Sequence, residues 1–395
     1  MFANQSNKMK FKSLFILFLI PFFSFSQDQK LTLDGYLKDL HMYYHPEQLS
    51  VGPELHDFNI NTIHNRLNLN WFANDKMTFT LGMRNRFISG NAVSDIPNNK
   101  SSVDFDNGFL DLSWITTEGN NSFLHSIFDR AYIDYSTGNW QIRLGRQRIN
   151  WGINLVWNPN DVFNSFSYFD FDYEERPGSD AINIRHYIGA TSSVEIVYKI
   201  AKSTNEMALA AMYRFSYNNY DYQFISGWVG DDYMIGGGYT GSIKGGGFRG
   251  EITHFFPRTN QTNSQESTVA SISYDYTLKN NLYLSIEGLY NSKGTTGDAG
   301  GSNLLLTQNL SAKQLSLAKY SLFAQASIPI NPLFNAGIAA ILNPSDNSWY
   351  LSPSCRYSIH ENIELMITTQ LFFGKERTEF GDIGQLAFAR IRWSF

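Results

Sequence analysis

Six arginines fall on the polar side of alternating segments: Arg66, Arg84, Arg86, Arg130, Arg143 and Arg185. A guanidinium presents a planar fork that matches a carboxylate or a phosphate. Arginines gathered on one wall are a way to build an anion pathway. All six lie in the first half of the chain. If that half closes into a wall, they line one side of it. A second reading stays open, in which each pairs with an Asp or Glu and only stiffens the wall. Arg146 and Arg148 sit on the opposite parity. There the strand has left its layer, or a bulge re-aims them.

A second group lies between residues 150 and 179. It combines Trp151, Trp157, Phe163, Phe166, Tyr168, Phe169, Phe171 and Tyr173 with Asp161, Asp170, Asp172, Glu174 and Glu175. So many aromatic rings are costly to leave in water. The segment is therefore expected to fold inward as a constriction loop. Its acids, set against the arginines, would create a transverse field; the plainer alternative leaves them solvated at the rim.

Signals for catalysis are thin. His41, His45, His56 and His64 match no zinc spacing. His41 and His45 would meet only on a helix, and they fall in a stretch read as strand. No Gly-x-Ser-x-Gly elbow occurs. Asp231–Asp232 reads as a loop end. No metal and no cofactor are expected, nor an enzyme, although a Ser–His or Asp–His hydrolase constellation scattered over strands would not show as a motif.

The elements that must position these groups have a period of two. Leu67, Leu69 and Trp71 alternate with Arg66, Asn68 and Asn70. Met77, Phe79, Leu81 and Met83 alternate with Thr78, Thr80, Gly82 and Arg84. Trp140, Ile142 and Leu144 oppose Gln141 and Arg143, and similar alternation runs through 194–200 and 282–290. Short connections fall at Ala73–Asp75, Thr137–Asn139, Ala190–Ser192, Asn218–Tyr220, Lys244–Gly246, Asn280–Asn281, Asn331–Pro332 and Glu361–Asn362. Longer ones span 45–57, 90–121, 150–179, 257–266, 292–316 and 374–382. Short and long connections alternate, as in membrane barrels with short inner turns and long outer loops. The fold class is all-β, a transmembrane antiparallel up-and-down barrel of about 18 strands. Sixteen is the alternative, because the glycine-rich stretch 227–250 divides ambiguously. Within it, Gly236–Gly238 and Gly245–Gly247 read as kinks or bulges.

Composition fits that solvent. Mean hydropathy is −0.29 and aromatic residues make up 15% of the chain. A polar, aromatic-rich chain suits a wet lumen with aromatic girdles. After the N-terminal segment no apolar run is long enough for a spanning helix. The net charge of −5 argues against nucleic acid as a partner. Cys355 is the only cysteine, so no internal disulfide forms.

Lys8, Lys10 and Lys12 precede the apolar run Leu14 to Phe25, with Ser24 and Ser26 before Gln27. Residues 1–26 thus read as a signal peptide, and 27–395 as the barrel, with its first strand near Leu31 and no plug domain ahead of it. At the other end, Ala389, Ile391, Trp393 and Phe395 share a face. A terminal Phe behind alternating apolar residues resembles the signal read by the barrel-assembly machinery of Gram-negative bacteria.

The run from Trp140 to Asn164 joins Gly145-Arg146-Gln147 to Trp151-Gly152 and Asn158-Pro159-Asn160, and Glu175 to Tyr187 follows. This block resembles alginate-export-type and related porin-like barrels. The resemblance covers about fifty residues strongly. It implies a strand followed by a long loop in an outer-membrane channel, and it leaves the solute open. The expected function is passive diffusion of small or oligomeric solutes, anionic if the arginine wall is unpaired, with saccharides also in range. Outer-membrane lipid is the expected surroundings, and an oligomer is compatible with the sequence. The alternative is a blocked barrel whose aromatic loops anchor surface polysaccharide or a partner protein.

Overall fold

The computed structural model describes residues 30–48, 50, 56–96, 99–170, 172, 176–258, 264–300 and 311–395. The expected signal peptide lies outside the described residues. The strands are β1 (Leu31–His45), β2 (Phe58–Asn74), β3 (Met77–Ser89), β4 (Ser113–Glu118), β5 (Ser122–Thr137), β6 (Trp140–Gln147), β7 (Ser179–Tyr187), β8 (Ser193–Lys199), β9 (Ala208–Tyr217) and β10 (Tyr220–Val229). They continue as β11 (Asp232–Ile243), β12 (Gly246–Pro257), β13 (Ser267–Thr277), β14 (Tyr283–Asn291), β15 (Tyr320–Asn331), β16 (Phe334–Asn343), β17 (Ser348–His360), β18 (Ile363–Phe373) and β19 (Gln385–Ser394). Two single-turn helices, α1 (Asn91–Asp95) and α2 (Asn99–Val103), sit in one upper loop.

Each wall strand pairs antiparallel with its neighbours in sequence, except that β3 skips β4 and pairs with β5. The last strand returns to the first, with Tyr36 opposite Ser394. Gly35 and Phe395 exchange both backbone hydrogen bonds, at 2.9 and 3.0 Å. With β4 set apart, the 19-stranded sheet leaves 18 strands in a closed wall. Closure gives each of the 18 wall strands a partner on both sides, which a bilayer demands of any sheet that crosses it.

The ambiguous stretch 227–250 resolves into two hairpins, turning at Gly230–Asp231 and Lys244–Gly245. Lys244 and Gly245 have φ of 50° and 83°, the doubly positive pair that a tight two-residue hairpin needs. The bulges expected at Gly236–Gly238 do not form. These residues keep unbroken register with both β10 and β12. Their small size serves the lumen instead. A Cβ on Gly238 would come within 2.9 Å of Ile153 and 3.1 Å of the Asn160 amide, both of which belong to a segment inside the barrel.

Alternation sorts the wall into two faces. Leu144, Phe224, Ile235 and Ile286 are each more than half exposed, all on the outer parity. Aromatic pairs bracket this apolar belt. Trp71 stacks on Phe79 and Trp140 tilts onto His186 near the short turns. Tyr233 meets Phe256 and Trp349 stacks on Phe373 at the opposite end. Such girdles mark the two interfaces of a bilayer.

The inner face departs from a uniformly wet lumen. Toward the long-loop end it is apolar, with Met212, Ile225, Met234 and Phe255 in one cluster. Val269, Leu289, Phe323, Tyr350 and Phe372 belong to another. Strands β6, β7 and β8 have only 8, 9 and 7 residues, so the wall is low there. Strand β4 fills the gap. It pairs with Phe123–Ile127 of β5, while β6 takes Ala131–Thr137 further down the same edge.

A charge in the belt should be costly and a charge in the lumen should not. Ile286→Arg is expected to destabilise the folded barrel by about 2–4 kcal/mol, and Asn70→Arg, on the inner parity, by far less. Equilibrium refolding into lipid vesicles reads both; equal losses would contradict the assignment of faces.

Candidate functional site

Beyond Gln147 the chain leaves the wall and enters the barrel. Its first lobe, residues 148–164, docks on β10 to β14. The backbone N–H groups of Ile153, Asn154 and Asn160 all donate to the Glu251 carboxylate, the latter two at 2.9 Å. Val156 and Trp157 donate to Glu287 at 3.1 and 2.7 Å. Carbonyls are met as well: Gln223 donates to Trp151 at 2.7 Å, Thr253 to Pro159 at 2.9 Å and Ser271 to Trp157 at 2.9 Å. The lobe returns to its own base where Asn164 donates to Ile149 and accepts from Ser179, both at 2.9 Å. Trp151 and Trp157 are buried in the two apolar clusters. Full burial of a side chain of this size contributes about 1.5–3 kcal/mol.

The second lobe crosses to β15–β19 and β1. Tyr168 packs on Phe323 at 5.1 Å, and Phe169 on Tyr350 at 4.9 Å. Gln370 donates to the Phe169 carbonyl at 2.6 Å. Asp172 ends the crossing, 2.7 Å from Lys38 and 3.2 Å from Arg390. Asp170 is exposed to solvent. Glu174 and Glu175 lie outside the described residues. Arg130 then donates to the Arg176 carbonyl at 2.6 Å.

Asp161 does not face the arginine wall, which corrects the transverse-field expectation at this residue. It follows Asn160, and the turn 158–161 buries it to 1% exposure beside Arg176 and not beside any of the six arginines. The nearest cation, Arg176, stands 3.9 Å away, and the Trp151 backbone N–H is turned toward the carboxylate. Burial pushes the carboxyl up to about 7; Arg176 opposes the shift and Glu251 adds to it.

The six arginines divide. Arg66 pairs with Asp129, Arg143 with Asp134 at 2.7 Å, and Arg185 with Glu195 at 2.6 Å. These three have the acidic partners that the second reading expects. Arg130 also donates to the Asp129 carbonyl at 2.6 Å, and Arg86 reaches the Val103 carbonyl at 3.4 Å and His125 at 3.0 Å. Arg84 is buried opposite Arg66.

Closure adds cations that strand-by-strand reading missed. Arg392 faces Lys38, Lys38 faces His64, His64 faces Arg86, and Arg86 faces His125, in one row across β19, β1, β2, β3 and β5. Arg390 stands on the same inner parity of β19, next to Leu40 of β1. Arg146 keeps the outer parity and leaves the lumen altogether. No bulge turns it inward, and Asp106 and Asp180 bind it there. Arg148 makes no ion pair or hydrogen bond among the described residues.

One constellation has the composition of a hydrolase site. Ser113 Oγ lies 2.8 Å from His125 Nε2 and donates to Asp104 at 2.6 Å. Its wiring runs the wrong way. Arg86 can only donate, so His125 Nδ1 must accept and Nε2 must carry the proton. The imidazole then donates to Ser113 and is no base for it. Among the described residues no cluster of metal-ligating side chains occurs.

No protein-family model and no curated protein sequence matches this chain. Solved structures do. The outer membrane protein OprD from Pseudomonas aeruginosa superposes with TM-score 0.57 at 12% identity, covering 93% of each chain. OccAB4 from Acinetobacter baumannii gives TM-score 0.59 at 10% identity, over 93% of this chain and 99% of that one. A BenF-like porin from Pseudomonas fluorescens Pf-5 gives 0.57 at 10% identity, over 93% and 99%. The fold is that of the outer-membrane porins. At these identities the porin likeness is one of architecture, and it adds no solute.

Two outcomes follow. In Glu251→Ala the N–H groups of Ile153, Asn154 and Asn160 lose their shared acceptor, each bond being worth about 0.5–1.5 kcal/mol. Amide exchange across 153–160 should quicken at least roughly tenfold; unchanged exchange would contradict the anchoring. For Asp161 the folded pKa is raised, so the seated state favours the protonated form. Its contribution is most favourable below the ordinary value of 3.8, is lost as pH rises to about 7, and is constant above. Asp161→Asn should therefore stabilise the protein against thermal unfolding at pH 8 (roughly one unit above that value) and much less at pH 5 (roughly two below). The reverse order would refute it.

Proposed function

We propose that this protein is a porin-like channel of a Gram-negative outer membrane, through which small polar solutes diffuse passively, anions in preference. The observation that carries this reading is the seated segment. The described residues between 148 and 178 are fixed to the inside of a closed wall at both lobes, which narrows the barrel while leaving the low-numbered strands uncovered by the first lobe. Basic groups concentrate on those strands and on β19 beside them. Lys38, Arg66, Arg84, Arg86, Arg390 and Arg392 occupy four adjacent strands. Asp129, Asp172 and Glu364 neutralise part of that charge. A wall of guanidinium and ammonium groups lowers the barrier for anions and raises it for cations.

The blocked anchoring barrel has less support. Its aromatic side chains were to be presented outward, and Trp151, Trp157 and Phe163 are buried inside. Passive diffusion needs no catalyst, and the reversed Ser113–His125 pair supports a channel with no enzymatic role. The block at 140–188, similar to that of alginate-export-type barrels, accords with a porin while leaving saccharides among the candidate solutes. We assign Ile391, Trp393 and Phe395 to recognition by the assembly machinery, since their outer-face alternation is what such a signal requires.

Planar-bilayer recording of the refolded protein under a potassium chloride gradient tests the proposal. Stable steps with an anion-directed reversal potential are expected, and Arg392→Glu should move that potential toward the cation side. A cation-directed potential in the wild type would sink the anion preference. Absence of steps from protein shown to be folded would sink the channel.

A further inference from the structure

Arg146 lies two residues beyond the belt residue Leu144, on the same outer parity of β6, yet its side chain is only 3% exposed. Residues 104–112 cover it. Asp106 meets the guanidinium at 2.6 Å and Asp180 at 2.8 and 2.9 Å. The carbonyls of Leu110 and Phe128 accept from it at 2.6 and 3.3 Å. Asp180 also accepts the Leu110 N–H at 3.0 Å. Gly108 is what lets the backbone come so close, because a Cβ there would fall 1.9 Å from an Arg146 nitrogen. The segment thus lies clamped to the outside of the wall, against Ala131, Leu144, Ile182 and Ile200.

The large apolar side chains it turns outward are Phe105, Phe109 and Leu110, exposed by 71%, 53% and 57%, while Asn107 and Asp111 are its exposed polar residues. Phe109 and Leu110 adjoin Leu144 of the apolar belt, which Ile142 and Ile133 continue. They do so on the side where β6, β7 and β8 are short and the wall alone would leave the belt incomplete. Lys202 lies at the outer edge of this segment, 3.6 Å from Asp111.

We propose that residues 104–112 form a flap that lies in the acyl-chain layer of the outer leaflet, held there by Arg146 between Asp106 and Asp180. The flap completes the lipid-facing belt over the short strands. A charge in that layer is tolerated only when paired and hydrogen-bonded, as Arg146 is. The proposal rests on the outer-membrane reading above, so its test carries a control for that reading.

In a Cys355→Ala background, single cysteines replace Phe109, Leu110 and, on the far side of the belt, Leu322. Each carries a nitroxide, and collision with oxygen, which concentrates in acyl chains, is compared with collision with a water-soluble nickel complex after refolding into vesicles. At Leu322 oxygen should dominate several-fold; if it does not, the membrane reading itself fails. With Leu322 behaving so, oxygen should dominate several-fold at Phe109 and Leu110 too. Dominance of the nickel complex at those two sites places the flap in water and overturns the proposal. Shielding from both reagents places it against a second protein surface and overturns it equally. Adding Gly108→Val, which cannot seat on Arg146, should shift the Phe109 label toward the nickel complex, while an unchanged ratio would show that the clamp does not hold the flap.

Discussion

Two buried carboxylates hold the interior of this barrel together. Glu251 and Glu287 stand on the inner faces of β12 and β14, either side of β13, and take five backbone N–H groups of one irregular segment. Irregular backbone inside a protein must find partners for its polar groups, at about 1–3 kcal/mol for each one left unsatisfied. The wall supplies them as side chains, because its own N–H and C=O groups are spent on the ladder. Much else follows from this docking. The chain can leave β6 early because its loop has somewhere to bind. The wall is then short, and β4 fills the gap above. Gly238 is bare because the segment passes over it. The inner face near the long loops is apolar because Trp151, Trp157 and Tyr168 pack against it.

The wall was legible from sequence, for a physical reason. A strand buried in lipid on one side and in water or protein on the other must alternate, and tight turns leave their own residue chemistry at Asn218–Asn219 and Lys244–Gly245. The strand number was legible only to within one hairpin, because the glycine-rich stretch 227–250 divides into two hairpins only in the structure. The interior was less legible. Glu251 and Glu287 look like any polar residue on an inward parity, and nothing local tells a carboxylate that captures backbone from one that faces water. The basic row was half visible. Arg66, Arg84 and Arg86 share sequence neighbourhood, whereas Lys38, Arg390 and Arg392 join them only when β19 closes on β1. Gly236–Gly238 were misread as bulges, since a missing side chain looks the same whether the backbone bends or a neighbour approaches.

Charge in the lumen is organised as much for structure as for passage. Arg143 and Arg185 each find an acid on a neighbouring strand, and Arg66 reaches past β3 to Asp129 of β5. Lys38 and Arg390 hold the end of the second lobe through Asp172. The same side chains that bias the lumen toward anions therefore also fasten the segment that narrows it. A narrow lumen raises the effect of each fixed charge on a passing ion, because less water lies between them to screen it. Constriction and selectivity are thus coupled through the same residues.

The most direct test compares single-channel conductance of the wild type with that of a Glu251→Ala, Glu287→Ala double variant, while neutral polymers of graded size are added to both chambers. If the seated segment narrows the lumen, the wild type passes a small current and excludes all but the smallest polymers. The variant, confirmed as folded, then passes a larger, noisier current and admits larger polymers. Equal currents and equal polymer cut-offs in the two proteins would contradict the account, because the segment would then have no part in setting the bore.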